Sequence, residues 1–220
     1  MRLYRHKRRR RKFYICAAHR HHDADNIQKA IPVTDTTSIH VLAICGSLRK
    51  GSFNRMAMNA AIARAPTGMT ITEGLIGEIP LFNEDVREAG EPAAVATLKR
   101  QVQEADALLF ATPEYNYGMP GVLKNAIDWV SRPPATSPFD GKPVAMLGAS
   151  AGVMATVRSQ LQLRQTCLAL NMLAVNRPEV LIGQAAGKFA PDGSLKDEAT
   201  GKFIGLLMQA LYDWTLRLRG

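Results

Sequence analysis

The chain of 220 residues has only three cysteines, Cys16, Cys45 and Cys167, far apart and without a CxxC pair. That excludes a disulfide framework and a thiol-based zinc ribbon, and it fits a reducing cytosol. No apolar run approaches the ~18 residues of a membrane span, so a transmembrane helix is not expected. Histidine is nearly confined to the first 38 residues: His6, His19, His21 and His22 lie there, and His40 alone belongs to the rest. Without a second His or Cys group at ligand spacing, no metal site is expected. No internal repeat is visible.

The net charge of +9 suggests a nucleic-acid binder until it is divided along the chain. Residues 1–38 hold 10 Lys and Arg against 3 Asp and Glu, whereas residues 39–220 hold 18 against 16. The basicity belongs to a tail with an unbroken run from Arg8 to Lys12 and no sustained helical or strand period, so disorder is expected there. The six mostly apolar residues Phe13–Ala18 are too few for a signal peptide, and Asp23 and Asp25 disfavour a transit peptide. The tail reads as a solvated extension, translated from upstream of the true start in one version of that reading. The alternative is an arm for nucleic acid or an anionic membrane. The nearly neutral body gives no reason to expect nucleic acid.

From Ile39 onward, short apolar runs alternate with amphipathic stretches. Strands are expected at His40–Cys45, Met69–Leu75, Ala107–Ala111 and Pro143–Leu147, with a broken fifth over Leu173–Ile182. Helices are expected at Asn54–Ala65, Pro92–Ala105, after the loop 112–121 through Trp129, Thr156–Leu170 and Asp197–Arg217. That alternation predicts an α/β fold, a flavodoxin-like doubly wound five-stranded parallel sheet with helices on both faces. Ligands of such sheets bind beyond the carboxyl ends of the strands.

After strand one comes Gly46-Ser47-Leu48-Arg49-Lys50-Gly51-Ser52-Phe53-Asn54, leading straight into a helix. Backbone N–H groups at a helix start favour an anion. Ser47, Ser52 and Asn54 add side-chain donors and Arg49 adds charge. A Walker A loop needs Gly-Lys-Ser/Thr, but Lys50 precedes Gly51, and no GxGxxG is present. The cations Arg49, Lys50 and Arg55 near the positive end of a helix dipole call for a counter-anion, here a phosphate monoester. After strand three comes Thr112-Pro113-Glu114-Tyr115-Asn116-Tyr117-Gly118-Met119-Pro120-Gly121. Two tyrosines give faces on which a flat ring can stack, and Asn116 gives an amide for a heteroaromatic edge. A single ligand with a phosphate end and a planar end explains both loops, and flavin mononucleotide (FMN) has that shape.

Gly148-Ala149-Ser150-Ala151-Gly152 is formally a GxSxG, the nucleophile turn of α/β-hydrolases. No histidine follows Ser150 to serve as its base, and a serine at its ordinary pKa is a poor nucleophile, so the hydrolase reading fails.

Three segments, GSLRKGSFNR at 46–55, IPLFNEDV at 79–86 and PEYNYGMPGVLKNAIDW at 113–129, resemble the NAD(P)H-dependent FMN reductases. The bacterial quinone and chromate reductases are the group most resembled. The resemblance implies non-covalent FMN, NADPH or NADH as co-substrate, and a homodimer or homotetramer with the flavin near a subunit interface. It further implies that Ser47, Arg49, Ser52 and Asn54 hold the phosphate, with Leu48 and Phe53 also binding the cofactor. Pro113, Glu114, Tyr115, Asn116 and Tyr117 would flank the ring, with Ser150 and Gly152 touching the flavin; no side chain is expected to be catalytic. Quinones are the expected acceptors, with chromate, azo compounds or free flavin as further ones. A flavodoxin-like electron carrier is the alternative, disfavoured by Arg49 and the near-neutral body. Relatives commonly carry Gly-Gly before Arg where this chain has Ala155-Thr156-Val157-Arg158. Leu161 stands where related tetramers have an aromatic.

Overall fold

The computed structural model describes residues 37–220; the basic run, the histidine cluster and Cys16 lie outside the described residues. Three strands form the centre of a parallel sheet: β1 (Ile39–Cys45), β3 (Ala107–Ala111) and β4 (Pro143–Ala149). Nearly every residue in them is buried, as expected where helices cover both faces. β2 (Met69–Gly74) pairs with β1 at one edge, and the strand order is β2-β1-β3-β4-β5.

The fifth position is shared by two short strands. β5 (Leu173–Ala174) pairs with Pro143 and Val144, and β6 (Val180–Ile182) pairs with Leu147, Gly148 and Ala149 further along β4. The sheet therefore has six strands in five places, where five strands were expected. Pro178, which has no N–H for a ladder, lies in the interruption. Pairing with β6 also extends β4 two residues beyond the expected Leu147.

Side-chain alternation divides the interior in two. Val41, Ala43, Leu109, Ala145 and Leu147 face α1 (Phe53–Ile62) and α6 (Glu198–Arg219), while Leu42, Ile44, Leu108, Phe110 and Met146 face the other helices. Those are α3 (Ala93–Glu104), α4 (Gly121–Val130) and α5 (Val157–Ala169). Phe110 and Trp129 are fully buried, so truncating either to Ala would cost about 3–5 kcal/mol.

Two helix assignments differ from expectation. α1 stops at Ile62 rather than Ala65: Arg64 and Ala65 close into tighter turns onto Ala61 and Ile62. Pro66 disfavours helical geometry at the residue before it. A short α2 (Glu84–Ala89), capped by the Asn83 side chain at 2.9 Å and ended by Gly90, occupies what reads as a loop. It has no buried residue and therefore no apolar stripe to betray it.

Both described cysteines are core residues. Burial pushes the Cys167 thiol up to about 12, leaving it protonated and unreactive. Among the described residues, no helix is long and apolar enough to cross a membrane, and no cluster of three metal-ligating side chains occurs.

Candidate active site

The loops after β1, β3 and β4 rise from the carboxyl edge of adjacent strands and are tied to one another. Gly46 N–H donates to Ala111 C=O at 2.8 Å, and Thr112 N–H donates to Leu147 C=O at 2.9 Å. A Cβ on Gly46 would press on Pro113, Pro120 and Leu123 at 3.1–3.2 Å. At Gly148 a Cβ would run into the Thr112 carbonyl and the Thr156 hydroxyl, so only glycine lets the third and fourth strands' loops meet.

The first loop is a cradle of peptide donors. Among the described residues, no acceptor meets the N–H groups of Ser47, Leu48, Arg49, Lys50, Gly51 or Phe53. Ser52 is the N-cap of α1, and its hydroxyl oxygen accepts from Asn54 and Arg55 N–H at 3.2 and 3.4 Å. Arg49 and Lys50 are exposed and pair with no carboxylate among the described residues, so their charge adds to the positive end of the α1 dipole. Arg55 does not: it forms an ion pair with Glu73 of β2, a protein counter-charge for a cation expected to need a phosphate. This donor set of unpaired N–H groups, a serine hydroxyl and an arginine fits a phosphate monoester.

Of the residues expected in this loop, Phe53 and Asn54 have side chains engaged elsewhere, while Leu48 has an open one. The Phe53 ring stacks on Phe189, with centroids 6.1 Å apart, in the core. Leu48 is exposed. The Asn54 side chain is buried and bonded to both peptide groups of Ala149: its amide donates to the Ala149 carbonyl at 2.9 Å, and its oxygen accepts the Ala149 N–H at 2.8 Å. Asn54 thus joins the cradle to the end of β4.

The second loop contains a two-residue hairpin. Tyr115 and Gly118 exchange N–H···O=C bonds of 3.0 Å, and Asn116 and Tyr117 between them have φ of 48° and 70°. Both central residues are left-handed, as this turn requires; for a tyrosine that conformation costs about 1–2 kcal/mol. Tyr115 and Tyr117 are exposed, whereas Pro113 is buried.

The Glu114 carboxylate is engaged by the start of α5. Its Oε2 accepts from the N–H of Arg158 at 2.8 Å and of Ser159 at 3.2 Å, and its Oε1 accepts from the Arg158 guanidinium at 2.9 Å. The carboxylate therefore caps α5, whose own N-cap, Thr156, makes no side-chain capping bond, its hydroxyl accepting instead from the Gln160 side chain at 3.1 Å. Burial works to raise its pKa, but the Arg158 guanidinium and the Arg158 and Ser159 N–H groups outweigh that and hold it below the usual carboxylate value. The Arg158 guanidinium also lies 3.8 Å from the Tyr117 ring centroid, a cation–π contact.

Residues the motifs did not flag complete the framework. The Thr112 and Ser159 hydroxyls are 2.9 Å apart, and Gln162 Oε1 accepts the Met119 N–H at 2.7 Å. Their signal was present in the sequence as polar residues at the start of α5, where an apolar stripe was expected. In the third loop, Ser150 Oγ accepts from Gly152 N–H at 3.2 Å. His40, the only histidine of the described chain, is bonded to Thr72 instead, so Ser150 has no base.

A parallel sheet with this strand order, with an anion cradle and an aromatic hairpin at its carboxyl edge, defines a flavodoxin-like oxidoreductase. The chain belongs to the NADPH-dependent FMN reductase family, whose profile matches residues 39–187. It is 53% identical over 182 residues to an NAD(P)H-dependent FMN reductase of Pseudomonas aeruginosa, covering 83% of this chain and 98% of that one. It is 42% identical over 165 residues to a quinone reductase of Escherichia coli, covering 74% and 87%. Among solved structures it is similar to FerB, a flavoenzyme NAD(P)H:(acceptor) oxidoreductase of Paracoccus denitrificans. The TM-score is 0.75 at 37% identity, over 81% of this chain and 98% of that one.

Proposed function

We propose that the chain is an NAD(P)H-dependent FMN oxidoreductase that reduces quinones and other small electrophiles. Chromate, azo compounds and free flavin are further acceptors of the same kind. The observation that carries this reading is the run of unpaired N–H groups from Ser47 to Gly51 at the start of α1, one strand away from an exposed tyrosine hairpin. When bound, FMN would supply the redox chemistry that links NADPH or NADH to the acceptor.

The chain's own residues bind and orient. The N–H groups of Ser47–Gly51 and Phe53, with the Ser47 hydroxyl, the Ser52 cap and the Arg49 guanidinium, hold the phosphate. Leu48 contributes through its backbone, and Asn54 acts behind the cradle by fixing it to Ala149. Tyr115, Asn116 and Tyr117, next to the buried Pro113, would flank the ring, and the Ala151 N–H would be a peptide donor toward it, since the Ser150 and Gly152 N–H groups are taken by Ile182 C=O and Ser150 Oγ. No side chain has to shuttle a proton, which suits a site to which the described residues bring no histidine and in which Glu114 is held by α5.

The exposed Tyr115, Val153, Met154 and Leu161 around these loops suit a second copy of the chain, a homodimer or homotetramer. Two buried free thiols, with no disulfide among the described residues, suit the cytoplasm.

The test is an absorbance spectrum of the purified protein, then anaerobic NADPH or NADH, then a quinone. Bands near ~450 nm that bleach with the nicotinamide and return with quinone are expected. Flavin that neither nicotinamide bleaches would make the protein an electron carrier. No flavin after incubation with FMN would refute the cradle itself.

A further inference from the structure

The hairpin from Tyr115 to Gly118 sits at the site edge in a conformation that suits Asn116 but that Tyr117 disfavours. Neither Asn116 nor Tyr117 is glycine, both are left-handed, and two hydrogen bonds close the turn. Something outside the hairpin must hold it. Both of its flanks are attached to the same helix. Before it, Glu114 caps the first turn of α5; after it, the Met119 N–H is bound by Gln162, two turns along α5 or less. Gly118 lies so close to Gln162 that a Cβ would stand 2.9 Å from its Oε1.

The third attachment is made by Arg158 alone. Its guanidinium is fixed by Glu114 Oε1 on one side and covers the Tyr117 ring on the other. The Glu114 side chain is only 10% exposed and all three of its hydrogen bonds go to α5, so its carboxylate is engaged by the helix rather than presented to the open side of the site. We propose that Glu114 is a positioning residue, which acts through Arg158 to lock Tyr117 and the hairpin in place. Its effect on FMN rests on the functional reading above; its effect on the hairpin does not.

The chemistry is asymmetric. A neutral amide in place of the carboxylate still offers an oxygen to the α5 N–H groups, but it puts an NH2 or a weaker acceptor against the guanidinium. E114Q thus spares much of the cap and releases Arg158. The variant R158M removes the guanidinium and leaves the cap intact. If Glu114 works through Arg158, the two substitutions have the same consequence for the hairpin, and combining them adds nothing.

The measurement is amide hydrogen exchange of the full chain, with and without FMN, for wild type, E114Q, R158M and the double variant. At Tyr115 and Gly118, each single variant is expected to exchange about tenfold faster, the loss of one charge-assisted contact. The double variant should exchange no faster than the faster single one, and amides in the centre of β3 should be unchanged. FMN dissociation constants, read by quenching of flavin fluorescence, should rise about threefold to tenfold in the same three proteins. Exchange at Tyr115 and Gly118 that R158M leaves unaltered would overturn the proposal, even if E114Q proved too unstable to study. So would effects that multiply in the double variant, because Glu114 would then be a helix cap only. Wild-type protein that binds no FMN would refute the functional reading, while the exchange data would still decide the role of Glu114.

Discussion

Replacing Asn54 by alanine separates two roles that one side chain could play in the cradle. In the structure its amide satisfies the N–H and the C=O of Ala149 at 2.8 and 2.9 Å, and both residues are buried. Alanine leaves two peptide groups without those partners, each costing about 1–3 kcal/mol. The expected loss for N54A is therefore about 2–6 kcal/mol. For a body of this size that lowers the melting temperature by about 4–24 °C. Urea unfolding should show a lower midpoint with an unchanged slope, since the surface exposed on unfolding stays the same. N54D should not rescue: one carboxylate oxygen still accepts the Ala149 N–H, but the other faces a carbonyl with no hydrogen to give. FMN affinity is measured alongside. A side chain that ligates phosphate directly would instead lose about tenfold or more in affinity with a stability change under about 0.5 kcal/mol. That pattern would refute the reasoning.

Other predictions follow from neighbouring features. Ala155 is buried with φ of 50°, so A155G should stabilise the protein by about 1 kcal/mol, read as a higher urea midpoint. The Glu114 carboxyl has a folded pKa below its unfolded one, so its contribution is present at pH above the usual carboxylate value and is lost as pH falls through the folded pKa. The stability gap between wild type and E114Q should accordingly close on acidification below about pH 4.5, seen in urea midpoints from pH 7 to 3. Cys167, with its thiol pushed up to about 12 by burial, should resist iodoacetamide in the native protein at pH 8 and react in urea.

The parts of the fold that were legible are those in which one short segment contains the whole signal. HVLAIC and ALLFA are continuous apolar runs because helices cover both faces of β1 and β3, and no distant residue changes that. The start of α1 was legible for the same reason: glycine, serine and the helix start adjoin in ten residues. The sequence failed where a partner lies far along the chain. Asn54 reads as a donor to phosphate because Ala149, which takes its amide, is 95 residues away. Glu114 reads as a neighbour of the ring because the helix it caps begins more than 40 residues later. Arg55 reads as an uncompensated cation because Glu73 stands on another strand. In each case the residue type was right for a polar site, and a nonlocal hydrogen bond or ion pair decided where it pointed.

The divided fifth place of the sheet bears on how copies of the molecule can meet. A long, regular outer strand is a template on which another chain can polymerise. Here that border offers two residues of β5, an interruption containing Pro178, and three residues of β6. No stretch of it is long enough to seed a continuous intermolecular ladder. Association on this side must proceed through side chains of loops and helices, which can be geometrically selective, and runaway sheet growth is blocked by the backbone itself.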